Sequence, residues 1–134
     1  MKIMAGMGSV EDYEMLVQAG ADEIFCGYVP FDWNQKFGNL MPLNRREVMY
    51  YHVQVNVCED MKLLANMMKD MHVPVAITLN ALYYTEEQLK WIGDTILRLM
   101  ELGFRDYIIA DIGLVLYLRE RRIPCYIHMS GEIG

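Results

Sequence analysis

Four side chains in this sequence carry the functional groups that general acid–base chemistry needs. Two are carboxylates, one is an imidazole and one is an amide, and each lies in or just after a short apolar segment: Asp111, Glu132, His128 and Asn80. Such groups could activate a water molecule and protonate a leaving group. The carboxylates and the imidazole could instead hold a divalent cation. We predict a catalytic site built from these four residues and assign no metal to it.

A second set of residues is suited to binding a substrate around that site. It combines backbone, hydroxyl, phenol and guanidinium groups: Gly27, Tyr28, Arg45, Arg46, Tyr83 and Ser130. The adjacent arginines could clamp a carboxylate or a phosphate. Pairing with Glu47 on a solvated surface is the simpler explanation of the same arginines.

Each catalytic candidate also has a purely structural interpretation. Asp111 can cap the helix that follows it, and we favour capping slightly over catalysis. Asn80 can hydrogen-bond the backbone of its own loop. His128, inside an apolar strand, is more often a hydrogen-bonded core residue than a ligand, and Glu132 lies close to the end of the sequence. Function therefore depends on whether the fold brings the four side chains together.

The stretch 73–111 predicts a strand–helix–strand unit that positions two of these residues. The apolar segment 75–79 is typical of a strand buried on both faces, and it ends at Asn80. A second apolar segment, 107–110, ends at Asp111. The two strands should be parallel, with a right-handed crossover between them. Their carboxyl ends, where function gathers in such folds, should then share one edge of the sheet.

Capping residues mark the limits of two helices. Thr85 with Gln88 forms a capping box that predicts a helix start, and Gly103 can take the left-handed conformation that ends such a helix. Ser9 can cap an earlier helix, which Gly20 would end.

Further apolar segments bring the prediction to five strands and four helices in alternating order. This order fits either an open doubly wound sheet or the front part of an eight-stranded barrel. A complete barrel needs about 250 residues, whereas this sequence has 134. We predict an α/β fold with a single domain over residues 1–134, namely the amino-terminal part of a (β/α)8 TIM-type barrel with about five parallel strands.

Two segment types recur along the chain. Residues 19–25 (AGADEIF) resemble 102–108 (LGFRDYI), and 72–77 (HVPVAI) resemble 122–127 (RIPCYI). The connections that lead into the strands are therefore expected to be of two alternating kinds. The unequal spacing excludes a strict repeat.

Composition and charge limit the environment and the partners. A net charge of -6 argues against a broad phosphate-binding surface, so nucleic acid is not an expected partner. No apolar segment approaches the ~18 residues of a membrane helix, and no secretory signal is expected. The isolated residues Cys26, Cys58 and Cys125 form no metal or disulfide pattern, which predicts a reducing cytoplasmic setting.

The hydrophobic fraction of 54%, with 12 Met, is high. One interpretation is a soft core, because Met fills irregular gaps. The other is apolar surface that further chain normally covers. We therefore expect either a homo-oligomer or a missing carboxyl-terminal part.

Five segments in order resemble one known family. The segments GADEIFCGY, PLNRRE, VPVAITLNALYYTEEQ, GFRDYIIADIG and IHMSGE are similar to the amino-terminal part of the collagenase-like peptidases of family U32. The resemblance implies a barrel of the eight-stranded β/α type and a peptidase, that is a hydrolase acting on peptides. Other members are RNA- or quinone-hydroxylating proteins that hold an iron–sulfur cluster through cysteines downstream of the strand at 125–129. The three cysteines of this sequence do not match those, so no iron–sulfur cluster is expected within this chain.

Three functional hypotheses follow from these observations. The first is the front part of a peptidase barrel, active on peptides when complete and inactive alone. The alternative is a truncated iron–sulfur-dependent factor for RNA or quinone hydroxylation. The third is a non-catalytic assembly module whose unclosed sheet favours self-association. We adopt the first for the family.

Overall fold

The computed structural model of the chain describes residues 2–28, 54–55, 58–79 and 84–129. Helices and strands alternate along these residues, as predicted, with one additional two-residue strand after the second. In chain order they are β1 (Met4–Gly6), α1 (Asp12–Gln18), β2 (Glu23–Tyr28), β3 (Gln54–Val55), α2 (Cys58–Met71), β4 (Val75–Leu79), α3 (Glu86–Leu102), β5 (Asp106–Ile109), α4 (Ile112–Glu120) and β6 (Tyr126–Met129).

All strand pairs of the described sheet are parallel. The order is β1-β2-β4-β5-β6, with β3 beside β2. Gly27 of β2 pairs with Thr78 of β4 and with Gln54 of β3, so β3 lies on the β1 side of β2. A doubly wound sheet reverses its strand order at a switch point. Apart from the two-residue β3, the described strands follow one another in sequence order without such a reversal, and right-handed crossovers in one direction place every described helix on the same face.

One face of the sheet forms a single hydrophobic core with all four described helices. The strands contribute alternate residues whose register places them on a common face: Ile24, Cys26, Val75, Ile77, Leu79, Tyr107 and Ile109. The helices contribute apolar residues at helical spacing, among them Tyr13, Met61, Leu64, Ile92, Ile96, Leu99, Leu114 and Leu118. The parallel α/β fold predicted from the sequence is confirmed.

The opposite face of the sheet carries none of the described helices, and we call it the helix-free face. It presents the other set of alternating residues: Phe25, Gly27, Ala76, Thr78, Asp106, Ile108, Tyr126 and His128. Side chains on this face become more exposed towards β6, an edge strand of the described sheet. Polar groups on this face are therefore accessible to a ligand.

Local capping fixes the long helix α3 where the sequence predicts it. The Thr85 Oγ1 accepts a hydrogen bond from the Gln88 amide at 3.2 Å, and the Gln88 Oε1 accepts one from the Thr85 amide at 2.8 Å. Gly103 ends the helix with φ 114°. These contacts explain why both boundaries could be predicted from three residues, Thr85, Gln88 and Gly103.

The predicted Ser9 cap of α1 is wrong. The helix begins at Asp12, and the Asp12 carboxylate accepts hydrogen bonds from the amides of Gly8 and Ser9, each at 3.2 Å. A charged acceptor forms a stronger hydrogen bond than a hydroxyl does. The Asp12 side chain therefore closes the turn that the sequence suggested Ser9 would cap.

The recurring segments share a left-handed residue at the end of the preceding helix. These residues are Gly20 and Gly103 in one segment type, and His72 (φ 61°) and Arg122 (φ 58°) in the other. After Arg122, the Ile123 amide bonds the Leu118 carbonyl at 3.0 Å. This is the Schellman arrangement, which satisfies carbonyls that the helix leaves unpaired. The two kinds of connection therefore differ in whether a glycine or a larger residue has the left-handed conformation.

We expect His72→Gly and Arg122→Gly each to stabilise the domain. A left-handed conformation is strained for a residue with a Cβ atom and free for glycine. The greater entropy of glycine in the unfolded chain offsets part of that gain, so the net increase in the free energy of unfolding should be about 0.5–1 kcal/mol. Urea denaturation measures it. Alanine at the same positions keeps the strained φ and is the control; a lower midpoint for the glycine variants would contradict the prediction.

None of the helices in the described part of the chain combines the length and apolar character needed to cross a membrane. Cys26 and Cys125 are buried free thiols. The cytoplasmic setting stays a prediction.

Candidate functional site

The sequence-predicted site residues fall into two groups in the structure. Gly27, Asp111 and His128 are described, as is the backbone of Tyr28 at the end of β2. The remaining candidates lie outside the described residues: Asn80, Glu132, Arg45, Arg46, Tyr83 and Ser130. For those six residues, the catalytic and binding roles stay predictions.

Asp111 caps helix α4, which confirms its structural interpretation. Its Oδ1 accepts a hydrogen bond from the Gly113 amide at 2.9 Å. A Cβ atom at position 113 would stand 3.2 Å from that oxygen, so Gly113 leaves room for the capping carboxylate. The side chain is half-buried. Capping occupies one oxygen of Asp111 and does not by itself exclude a role for the other.

His128 lies on the helix-free face of β6 and is not a core residue. Its side chain is 56% exposed, and its Nε2 stands 3.0 Å from the Oδ1 of Asp106, whose side chain is 30% exposed. The expectation of burial for His128 is wrong because β6 is at an edge of the described sheet and position 128 points away from the described helices. The partner, Asp106, is not among the site residues predicted from the sequence.

Two rows of residues cross the helix-free face. The row nearer the carboxyl ends of the strands, which we call the upper row, contains Gly27, Thr78, Ile108 and His128. The row nearer the amino ends contains Phe25, Ala76, Asp106 and Tyr126. Neighbouring strands are about 4.8 Å apart, so each row spans about 14 Å.

The upper row brings two predicted site residues to the same face from distant parts of the sequence. Gly27 has no side chain and stands at one end, while His128 stands at the other. Thr78 and Ile108, between them, are half-buried. The row is therefore a shallow floor with a hydrogen-bonding imidazole at its edge, a shape suited to an extended chain.

Asp111 and His128 make their hydrogen bonds to different partners. His128 is level with Ile108 across the β5–β6 pair. Asp111 follows Ile108 by three residues, a separation of at most about 11 Å along the chain. The parallel pairing of β5 and β6 thus places both residues towards the same edge of the sheet, with Asp111 beyond it and His128 just inside it.

Among the residues that the structure describes, no three or more His, Cys, Asp or Glu side chains lie close enough to hold a metal ion. The ligand set considered from the sequence includes Glu132, which is outside the described residues.

Comparison with known proteins shows where the chain belongs. A comparison with curated proteins gave no match. The family model described as Peptidase family U32 matches residues 8–134. That range includes all four described helices, every described strand except β1, and every candidate site residue. Since the match runs along nearly the whole sequence, this chain belongs to peptidase family U32.

Proposed function

We propose that this chain forms the front part of a (β/α)8 barrel that cleaves peptide bonds at the inner face of its sheet when the barrel is complete. One observation supports this most: apart from the two-residue β3, the parallel strands follow one another in sequence order, with every described helix on a single face. That winding is the one a (β/α)8 barrel has. Family membership supplies the expectation of peptidase activity.

In such a barrel the helix-free face becomes the inner face. Apolar side chains are exposed on the outermost strands, including Met4 on β1 and Tyr126 and Met129 on β6. Pairing with further strands would cover them, as barrel closure removes sheet edges. The same side chains would serve self-association, so the predicted homo-oligomer remains compatible with the proposal.

A peptide would lie on the floor formed by the upper row. Gly27 lets a substrate backbone approach the sheet, and Thr78 offers a hydroxyl group. In this proposal Arg45 and Arg46 hold a substrate carboxylate, while Tyr28, Tyr83 and Ser130 add contacts at the rim. The catalytic groups are those predicted from the sequence: Asn80, Asp111, His128 and Glu132.

We propose that the chain alone is inactive. The imidazole of His128 is more than half exposed on the open face. Electrostatic stabilisation of a transition state is strong only where water is excluded. An open sheet does not provide that exclusion, whereas a closed barrel would.

The test of this proposal uses the natural protein, with labelled gelatin and labelled casein as substrates. If Asp111 is catalytic, Asp111→Ala and Asp111→Asn should both lower kcat by about 10²- to 10⁴-fold. If Asp111 only caps α4, Asp111→Ala should lower the free energy of unfolding by about 1 kcal/mol, while asparagine retains the capping oxygen. Activity and urea denaturation together separate the two roles.

The control for those variants is Asp94→Asn. Asp94 is a carboxylate on α3 whose Oδ1 is 3.0 Å from Arg121, on the helical side of the sheet. Its replacement should leave peptide cleavage unchanged. Absence of cleavage of either substrate by the unmodified protein would overturn the proposed function.

A further inference from the structure

We infer that Asp106 positions His128 as the general base of the peptidase site, so that the two residues act as one carboxylate–imidazole pair. This inference rests on the proposed function. Asp106 is a positioning residue, since it acts through the imidazole and does not touch the substrate. The observation behind it is the 3.0 Å separation of His128 Nε2 and Asp106 Oδ1 on the helix-free face.

The register of the two strands creates this contact. Ile108 is level with His128, and Asp106 lies two residues before Ile108 on the same face of β5. The imidazole therefore points towards the amino end of β5, where Asp106 is the first residue. Ala76, across from Asp106 on β4, is small and buried, which leaves the carboxylate room beside it.

The carboxylate determines which ring nitrogen carries the proton. An ionised carboxylate only accepts hydrogen bonds. In the neutral imidazole Nε2 must then be the donor, and Nδ1 must hold the lone pair. No described residue hydrogen-bonds Nδ1, and more than half of the side chain is exposed. Nδ1 is therefore free to accept a proton from a water molecule.

Stability does not account for the pair. Exposed ion pairs and hydrogen bonds of this kind contribute little to folding, because water competes for both groups. The buried Tyr13, by comparison, ties α1 to the segment before β4, because its hydroxyl donates to the Val73 carbonyl at 2.7 Å. A partly exposed pair on the helix-free face is better suited to a ligand than to holding strands together.

The resulting reaction is a balanced hydrolysis. Nδ1 of His128 takes a proton from water as the water oxygen bonds the carbonyl carbon of the peptide. The carbon–nitrogen bond then breaks, and the proton on Nδ1 passes to the departing amine. Asp106 keeps its negative charge throughout, holding the ring in place and stabilising the imidazolium that forms between the two steps.

The first measurement is the protonation of the ring, which does not depend on activity. In protein labelled with ¹⁵N-histidine, the imidazole shifts report which nitrogen carries hydrogen, and His128→Gln identifies the signals of His128. We expect hydrogen on Nε2 in the unmodified protein and a mixture of tautomers in Asp106→Asn. A neutral His128 with hydrogen on Nδ1 would overturn the inference.

The second measurement is the cleavage of labelled gelatin by the natural protein. His128→Gln should lower kcat by about 10²- to 10⁴-fold with KM unchanged. Asp106→Asn should lower kcat by about 10- to 100-fold, the range seen for groups that orient metal-bound histidines. The double variant should be no slower than His128→Gln alone, because residues that act as a unit are not additive.

The outcomes separate this inference from the proposed function. Cleavage that survives both single substitutions overturns the role of the pair and leaves the peptidase proposal standing. No cleavage by the unmodified protein overturns the peptidase proposal and the catalytic role together, while the tautomer still decides whether Asp106 positions His128. Asp94→Asn, which alters a carboxylate paired with Arg121 on the helical side, should leave both measurements unchanged.

Discussion

Tyr107→Ala is expected to lower the free energy of unfolding by about 3–5 kcal/mol, the range for removing a large aromatic side chain from a core. Tyr107 is fully buried on the helix-facing side of β5. Its hydroxyl donates to the Phe104 carbonyl at 2.8 Å, within the turn that leads from α3 into β5. Alanine would leave a cavity and an unpaired buried carbonyl. Equilibrium unfolding in urea measures the loss.

Tyr126→Ala is the matched control for Tyr107→Ala. Tyr126 is on the neighbouring strand and is 61% exposed on the opposite face. Its replacement should change the free energy of unfolding by no more than about 0.5 kcal/mol. Tyr107→Phe keeps the ring and removes only the hydroxyl, so its effect should be about 1–3 kcal/mol. Equal losses at positions 107 and 126 would show that the assignment of the two faces is wrong.

The parts of the fold that could be predicted from the sequence are those decided by near neighbours. The start of α3 depends on Thr85 and Gln88, three residues apart, and its end depends on Gly103. Asp111 bonds a backbone amide two residues away, so its capping role was also within reach. The prediction of a Ser9 cap was wrong because of another near neighbour. The carboxylate of Asp12, three residues on, accepts the hydrogen bond from the Ser9 amide and closes the turn itself.

The pairing of Asp106 with His128 could not be predicted in the same way. It depends on the register between β5 and β6, which a whole strand pair sets and no single residue reveals. A shift by one residue would place His128 on the other face. Functional residues in parallel sheets gather at the carboxyl ends of the strands, whereas Asp106 is the first residue of β5. A useful signal was available: Asp106 and Ile108 alternate with the buried Tyr107 and Ile109.

The candidate site therefore has two parts, which differ in whether a structural role explains their residues. At the strand ends, Asp111 has a local structural role that accounts for its position. On the helix-free face, the exposed pair of Asp106 and His128 has no comparable contribution to stability. This difference makes the helix-free face, and not only the carboxyl ends of the strands, the place where chemistry is expected.

Cys26 is expected to make the domain less stable in alkali. It is fully buried on the helix-facing side of β2, and burial raises the pKa of its thiol from 9.0 to about 12. Above pH 9 the unfolded chain loses this proton while the folded chain keeps it, so stability falls as pH rises. The contribution of Cys26 is constant below pH 9 and is lost progressively between pH 9 and about pH 12. Between pH 8 and pH 10 the loss should be about 1.4 kcal/mol.

Cys26→Ala isolates that contribution, because alanine changes packing equally at every pH and removes only the titration. Tyr107, whose pKa is also raised by burial, weakens both proteins alike in alkali. The difference in unfolding free energy between the two proteins should therefore narrow by about 1.4 kcal/mol from pH 8 to pH 10. Alkylation gives an independent measure: at pH 8 the folded protein should have about 10³-fold less Cys26 thiolate than the unfolded chain. Rapid alkylation of Cys26 in the native state would contradict the placement of β2 beneath the helices.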